Sequence, residues 1–199
     1  MNITIKPLGP DILDDYLYFF DTIAFADNRE WEGCYCVFYH HDKNVEDWIA
    51  RSKNENRDMA ITLVDQGVLK GFLVYDNEDP IAWCNVNDKD LFSFDKNLNN
   101  VYGDNDDTVI SIVCFLVSHK YRRRKISTML LKRIIDHYRL SGKKYLEAYP
   151  FKHAVRDSEN YHGPLDLYLK NGFSIDKEYD KYFIVRYDLS EGRENSIEG

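Results

Sequence analysis

Arg122-Arg123-Arg124-Lys125 sets four cations in a row immediately before a long amphipathic segment. A helix N-terminus already carries partial positive charge and unpaired amides. Four cations placed there are unfavourable, by about a few tenths of a kcal/mol or more each. A multiply charged anion turns that penalty into attraction, because amides and side chains then point at it together. Arginine is well shaped for phosphate, since its planar fork donates hydrogen bonds in pairs. The competing reading is a solvated basic patch that pairs with the abundant Asp and Glu. The position between a buried strand and a helix favours the anion site.

A second unusual segment runs Glu30-Trp31-Glu32-Gly33-Cys34-Tyr35-Cys36-Val37-Phe38-Tyr39-His40-His41. Cys34, Cys36, His40 and His41 are zinc-ligand types, but Cys-x-Cys followed by adjacent His lacks the usual Cys-x-x-Cys spacing. No metal is expected. Alternation of Cys34, Cys36 and Phe38 equally reads as core packing. For a general base the candidates are Asp104, Asp106, Asp107, His40 and His41, each of which also reads as an ordinary loop residue.

The elements that must position these groups follow from periodicity. Ile3 and Ile5 alternate as in a short strand, and Pro10 opens a helix through Leu13, Tyr16, Leu17 and Phe20. Val45 to Asn54 is weakly helical. Met59–Val64 and Leu69–Tyr75 read as strands joined around Gly67, and Ile81–Val86 as another. The stretch 88–107 is mostly loop. Thr108–Val117 is the clearest buried strand, and the helix after it buries Ile126, Leu130, Leu131, Ile134, Ile135 and Tyr138 on one face. Lys144–Ala148 then completes a β-α-β unit with a parallel pair. A short helix at Leu165–Lys170 and a hairpin of Phe173–Lys177 with Tyr182–Leu189 end the ordered chain. These elements predict an α/β (α+β) fold: one domain over residues 1–189, a central, mostly antiparallel twisted sheet, one parallel β-α-β unit, and helices on both faces. Residues 190–199 are expected to be a disordered tail.

Composition bounds the partners. Lys and Arg number 26 against 34 Asp and Glu, a formal charge of −8, so the chain is a poor general binder of nucleic acid and none is expected. No apolar run is long enough to span a bilayer, so no membrane partner is expected either. The segment starting at Met1 lacks a secretory signal, and with four cysteines the simplest expectation is a cytoplasmic protein with reduced thiols.

The segment Val117-Ser118-His119-Lys120-Tyr121-Arg122-Arg123-Arg124-Lys125-Ile126-Ser127 resembles the pyrophosphate-binding motif of GNAT acetyltransferases: Arg or Gln, two residues, Gly, any residue, then Gly or Ala. Arg122 matches the first position, while Lys125 and Ser127 stand where the family has glycine or alanine. Pro164-Leu165-Asp166-Leu167-Tyr168-Leu169-Lys170-Asn171-Gly172-Phe173 looks like the family's second signature, a Tyr-bearing helix ending in Gly-Phe. Trp31-x-x-Cys34-Tyr35-Cys36-x-x-Tyr39-His40 is similar to a segment of a bacterial-type GNAT subgroup. The likeness is good from about Thr108 to Leu189 and holds for the first half only in the order of elements.

The resemblance implies an acetyl-CoA-dependent N-acetyltransferase that passes its acetyl group to a primary amine by direct attack in a ternary complex. It implies that Arg122, Arg123, Arg124, Lys125, Ile126, Ser127 and Thr128 hold the pyrophosphate. The backbone of Phe115, Leu116 and Val117 would pair with the pantetheine arm, and Tyr168 would be the acid for the departing thiolate. Trp31, Tyr35 and Tyr39 would border the acceptor, a small-molecule or peptide amine. Transfer through Cys114 is not expected, as that residue sits in a buried strand with no base in view. With lysine and serine replacing the motif glycines, phosphate would be held more by side-chain charge and less by close backbone approach. The same replacement supports an alternative, a catalytically degenerate GNAT domain that binds CoA as a sensor or partner module. A homodimer is compatible with either.

Overall fold

The computed structural model of the chain describes residues 1–41, 45–93, 106–154 and 156–190. Asp104 and the tail from 191 onward lie outside them. Seven strands form one sheet: β1 (Ile3–Pro7), β2 (Gly71–Asp76), β3 (Asp79–Asp88), β4 (Val109–Val117), β5 (Tyr145–Ala148), β6 (Ser174–Glu178) and β7 (Phe183–Asp188), in the order β1-β2-β3-β4-β5-β7-β6. Every pair is antiparallel except β4 with β5. The mixed sheet with a single parallel pair, and helices on both faces, is the expected fold class. No helix among the described residues is long and apolar enough to cross a membrane.

Alternation along the strands sorts side chains onto two cores. Leu73, Tyr75 and Trp83 face a cluster with Tyr16, Phe20, Ala60 and Val64, contributed by α1 (Leu13–Tyr18), the helical turn Phe19–Ile23 that continues it, and α3 (Lys53–Asp65). Phe72, Val74 and Cys84 face the other side, where α4 (Ile126–Tyr138) buries Ile126, Leu130, Leu131, Ile134 and Ile135, and α5 (Leu165–Leu169) buries Tyr168. The periodicity of α4 is therefore what the sequence predicts.

Three expectations are corrected. Met59–Val64 is not a strand but the C-terminal half of α3. The helix starts at a capping box: Glu55 N–H donates to the Ser52 hydroxyl at 3.2 Å, and Ser52 N–H donates to the Glu55 carboxylate at 2.8 Å. From there Asn56, Ala60 and Val64 are buried at four-residue spacing, and the β-branched run is carried along by the helix. Gly67, with φ of +68°, follows the end of that helix instead of turning a hairpin. The hairpin is β2–β3, turned at Asn77, whose φ is +57°. Likewise the helix expected over Val45–Asn54 is only α2 (Val45–Ile49), with Ser52 starting the next helix.

At the parallel pair the sheet holds a buried charge. Glu147 on β5 is fully buried, accepting from Lys89 Nζ at 2.7 Å, from Arg186 Nε at 2.7 Å and from the Tyr149 hydroxyl at 2.7 Å. Tyr149 in turn shares a 2.7 Å hydrogen bond with Ser111 on β4. Breaking one member of such a set leaves charge uncompensated in low dielectric. Glu147→Gln is expected to lower the unfolding free energy by about 3–5 kcal/mol, measured as a fall in the urea midpoint at unchanged slope.

Candidate functional site

β4 and β5 stay paired only from Val109↔Tyr145 to Ile112↔Ala148. A register shift against β3 follows at once, with Asn85 opposite Cys114 and Val86 opposite Ile112, so Val113 is the extra residue of a bulge. Beyond it β4 leaves β5, and one edge of Phe115–Val117 opens. Strand alternation turns the backbone groups of Phe115 and Val117 toward that edge and those of Leu116 toward Trp83 on β3. The contacts agree: Phe115 N–H donates to the Tyr161 carbonyl at 2.5 Å, and the Val117 carbonyl accepts from Arg122 Nε at 3.2 Å.

A cavity of about 390 Å³ lies along this edge, lined by Phe115, Val117, Arg122, Arg123, Lys125, Ile126, Ser127 and Thr128, and across from them by Asn160, Gly163 and Pro164. Of the loop residues expected at the pyrophosphate, only Arg124 is not on its wall; that guanidinium stacks 5.4 Å from the Tyr121 ring. Leu116 lines the neighbouring cavities instead.

The turn that starts α4 has an unusual backbone. Arg123 and Lys125 both adopt left-handed conformations, φ +62° and +64°, and Lys125 is the residue that precedes the helix. Such a conformation costs an L-residue about 1–2 kcal/mol. No side chain caps α4 and no acidic residue stands in its first turn. The first amides of α4 thus lack a side-chain cap, the condition under which a helix start can take an anion. Arg122 is held by Asp27, which accepts from both terminal nitrogens of the guanidinium.

Tyr168 stands behind this wall. It is fully buried, its ring packs on Phe115 and Phe173, and its hydroxyl donates to the His162 carbonyl at 2.5 Å. Burial holds its pKa well above the ordinary phenol value. Gly163 makes this closeness feasible: with φ of +79°, a Cβ there would stand 3.0 Å from the Tyr168 oxygen. The phenol therefore ties down the Asn160–Pro164 side of the cavity.

Two more cavities continue the first. One of about 580 Å³ shares Phe115, Val117 and Arg122 with it and adds Asp27, Arg29, Glu30, Trp31, Arg156 and Tyr161. The next, of about 460 Å³, shares Glu30, Trp31, Leu116 and Tyr161 and runs on to Phe38, Tyr39, Trp48, Arg51 and Lys53. Trp31 and Tyr161 meet edge to face at 5.1 Å where the two join. Trp31 and Tyr39 thus line the third cavity, whereas Tyr35 is fully buried behind it, its hydroxyl bonded to Asp21 and its carbonyl accepting from Tyr16. Cys34, Cys36 and Cys114 line the same cavity, and burial, reinforced by Cys36, pushes the Cys34 thiol up to about 12. Among the described residues no group of three or more His, Cys, Asp or Glu side chains could hold a metal ion.

The base candidates fall elsewhere. Asp106 accepts from Thr108 N–H at 2.9 Å and from its hydroxyl at 2.6 Å, bonds that lower its pKa, and Asp107 is its neighbour. Both precede β4, so nine residues at about 3.3 Å each separate them from its open end. His40 packs against Phe92, burial lowering its pKa to about 4, and His41 against Trp48. The loop Asn160–Pro164, which the sequence offers as a turn that also reaches the cofactor or acceptor, does line these cavities, whereas sequence reasoning missed Asp27 and Arg156; nothing in their local pattern distinguishes them. Glu30 was in the segment singled out and could have been named from its place beside Trp31.

The chain matches the model of the acetyltransferase (GNAT) family over residues 14–173. In fold it is similar to the PaiA N-acetyltransferase of Thermoplasma acidophilum, solved in complex with coenzyme A, at 17% identity and a TM-score of 0.53, over 94% of this chain and 99% of that one. It is similar also to an N-acetyltransferase of Staphylococcus aureus Mu50 (14% identity, TM-score 0.55, 95% and 99% covered). An acetyltransferase of Thermus thermophilus gives 11% identity and a TM-score of 0.55, with 94% and 97% covered. No curated protein matches the sequence.

Lys125→Gly separates backbone strain from side-chain charge. Relief of the left-handed conformation, about 1–2 kcal/mol, outweighs the entropy that glycine adds to the unfolded chain, about 0.5–1 kcal/mol. The expected outcome is a thermal midpoint equal to or above that of the parent; a clear fall would contradict the strain.

Proposed function

Because the chain belongs to the GNAT acetyltransferase family, we propose that it moves an acetyl group from acetyl-CoA to a primary amine by direct attack in a ternary complex. The observation that carries this reading is the cavity along the open edge of β4, which ends at the uncapped, cation-rich start of α4. Acetyl-CoA supplies the activated acyl group; the chain binds and orients it. Arg122 and the amides of Ile126–Thr128 hold the pyrophosphate, with Arg123 and Lys125 adding charge. Arg122 exchanges Asp27 for phosphate as it does so. The edge-facing backbone groups of Phe115 and Val117 pair with the pantetheine arm and polarise the acyl carbonyl, Phe115 giving up the Tyr161 carbonyl and Val117 the Arg122 guanidinium. The amine enters from the cavity at Trp31 and Tyr39.

Tyr168 serves as acid for the thiolate only by exchanging the His162 carbonyl for sulfur, since its hydroxyl is already engaged. That engagement favours a second reading, in which the domain binds CoA without turnover as a sensor or partner module. Four free cysteines suit a reducing compartment such as the cytoplasm.

Calorimetric titration with acetyl-CoA tests the donor site. Arg122→Ala is expected to weaken binding about tenfold or more, the worth of a charge-assisted hydrogen bond. Asp27→Asn strengthens it, because the competing carboxylate is gone. Affinity should fall steeply with added KCl. Absence of binding would sink both readings, and binding with no thiol release for any amine leaves the sensor.

Tyr168→Phe distinguishes acid from tether. As the acid, Tyr168 is needed for kcat, and its loss lowers kcat while leaving acetyl-CoA affinity alone. As a tether only, its loss weakens acetyl-CoA binding and leaves the pH profile of kcat unchanged.

A further inference from the structure

The third cavity carries information about its occupant. Its walls are rings and thiols: Phe38 and Trp48 meet at 5.2 Å, Phe38 and Tyr39 at 5.2 Å, and Trp31 and Tyr161 at 5.1 Å. Its charged residues are mostly spoken for. Lys53 is bonded to Glu32 at 3.1 Å and lies 3.6 Å from Asp21. Arg51 donates to Asn56 at 2.6 Å and to the Glu55 carbonyl at 2.9 Å. Glu30 differs: it is exposed, it lines both this cavity and the one shared with the donor edge, and among the described residues no cation is bonded to it.

Those features select among amines. A polyamine or an aminoglycoside carries several ammonium groups, each needing a carboxylate or water, and would bury all but one against rings. A carboxylate-bearing amine would meet Arg51 only by displacing its two acceptors. A single ammonium on a flat apolar body fits: the body displaces water from the rings, and the cation rests between the Glu30 carboxylate and the face of Trp31. A volume of about 460 Å³ is ample for a one- or two-ring body with a short arm.

We propose that the acceptor is an arylalkyl primary amine, its ring held among Trp31, Phe38, Tyr39, Trp48 and Tyr161 and its nitrogen held at Glu30, where the donor and acceptor cavities meet. The inference rests on the acetyltransferase reading above and narrows it to a substrate class. The ammonium gives one proton to water at the open mouth beside Glu30. The freed nitrogen lone pair attacks the thioester carbon, a C–N bond forms and the C–S bond breaks. The second nitrogen proton goes to the departing sulfur, so the products are the N-acetyl amide, CoA as its thiol, and one proton.

The test is thiol release from acetyl-CoA with 2-phenylethylamine, tryptamine, spermidine and lysine as acceptors, beside calorimetric titration of each amine into the protein loaded with CoA. The expected result is kcat/KM at least tenfold higher for the two arylalkylamines, with binding heat only from them. Glu30→Gln should raise KM for those amines about tenfold with acetyl-CoA affinity unchanged. Trp48→Ala should lower kcat/KM for tryptamine, again without effect on acetyl-CoA. Preference for spermidine or lysine, or arylalkylamine kinetics indifferent to both substitutions, overturns this inference and leaves the acetyltransferase standing. Failure to bind acetyl-CoA at all overturns the acetyltransferase reading and this inference with it.

Discussion

Glu147 places one negative charge inside the sheet at the four-residue stretch where β4 and β5 run parallel, and two cations and a phenol converge on it. Lys89 comes from the turn after β3, Arg186 from β7, and Tyr149 links the cluster to Ser111 of β4. Four segments distant in sequence are thereby fixed at one end of the parallel pair. Such an ion cluster contributes little net energy over an apolar replacement, but it penalises any register that leaves one member unpaired. Because the pairing is secured there, β4 can bulge at Val113 and depart from β5 without the sheet coming apart.

The cleft that results is the feature on which the proposed function rests. Its floor is an open strand edge and its far end is a helix start with neither a side-chain cap nor an acidic residue. An L-residue at φ +64° in front of that helix is a cost the fold accepts on the wall of the cavity. Arg122, held by Asp27, couples the phosphate end to the segment that also carries Arg29, Glu30 and Trp31. The first two cavities therefore share the Arg122 side chain.

Much of this was legible one element at a time. The helix of Ile126–Tyr138, the buried strand before it and the parallel return after it each carry their own period, and the basic run sits between them in sequence as in space. Where reading failed, a local signal was outvoted. Met59–Val64 has strand-forming residues, yet Ser52-x-x-Glu55 begins a helix ahead of it, and burial of Asn56, Ala60 and Val64 at four-residue spacing continues it. The capping box was present in the sequence; its weight against the β-branched run was not.

By itself the sequence determined the sheet-helix alternation from Val109 to Asp188, the run of cations at Arg122–Lys125 and the family resemblance, because all three depend on residues close together along the chain. Tertiary structure alone decided which groups share a cavity. That Asp27 faces Arg122, that Tyr161 closes on Trp31, that Tyr35 turns inward while Tyr39 lines the wall, and that Tyr168 is bonded to the His162 carbonyl are all outcomes of packing between distant segments. The physical reason is that a residue's type limits the bonds it can make, but only the packed fold sets its partner and its exposure to a ligand.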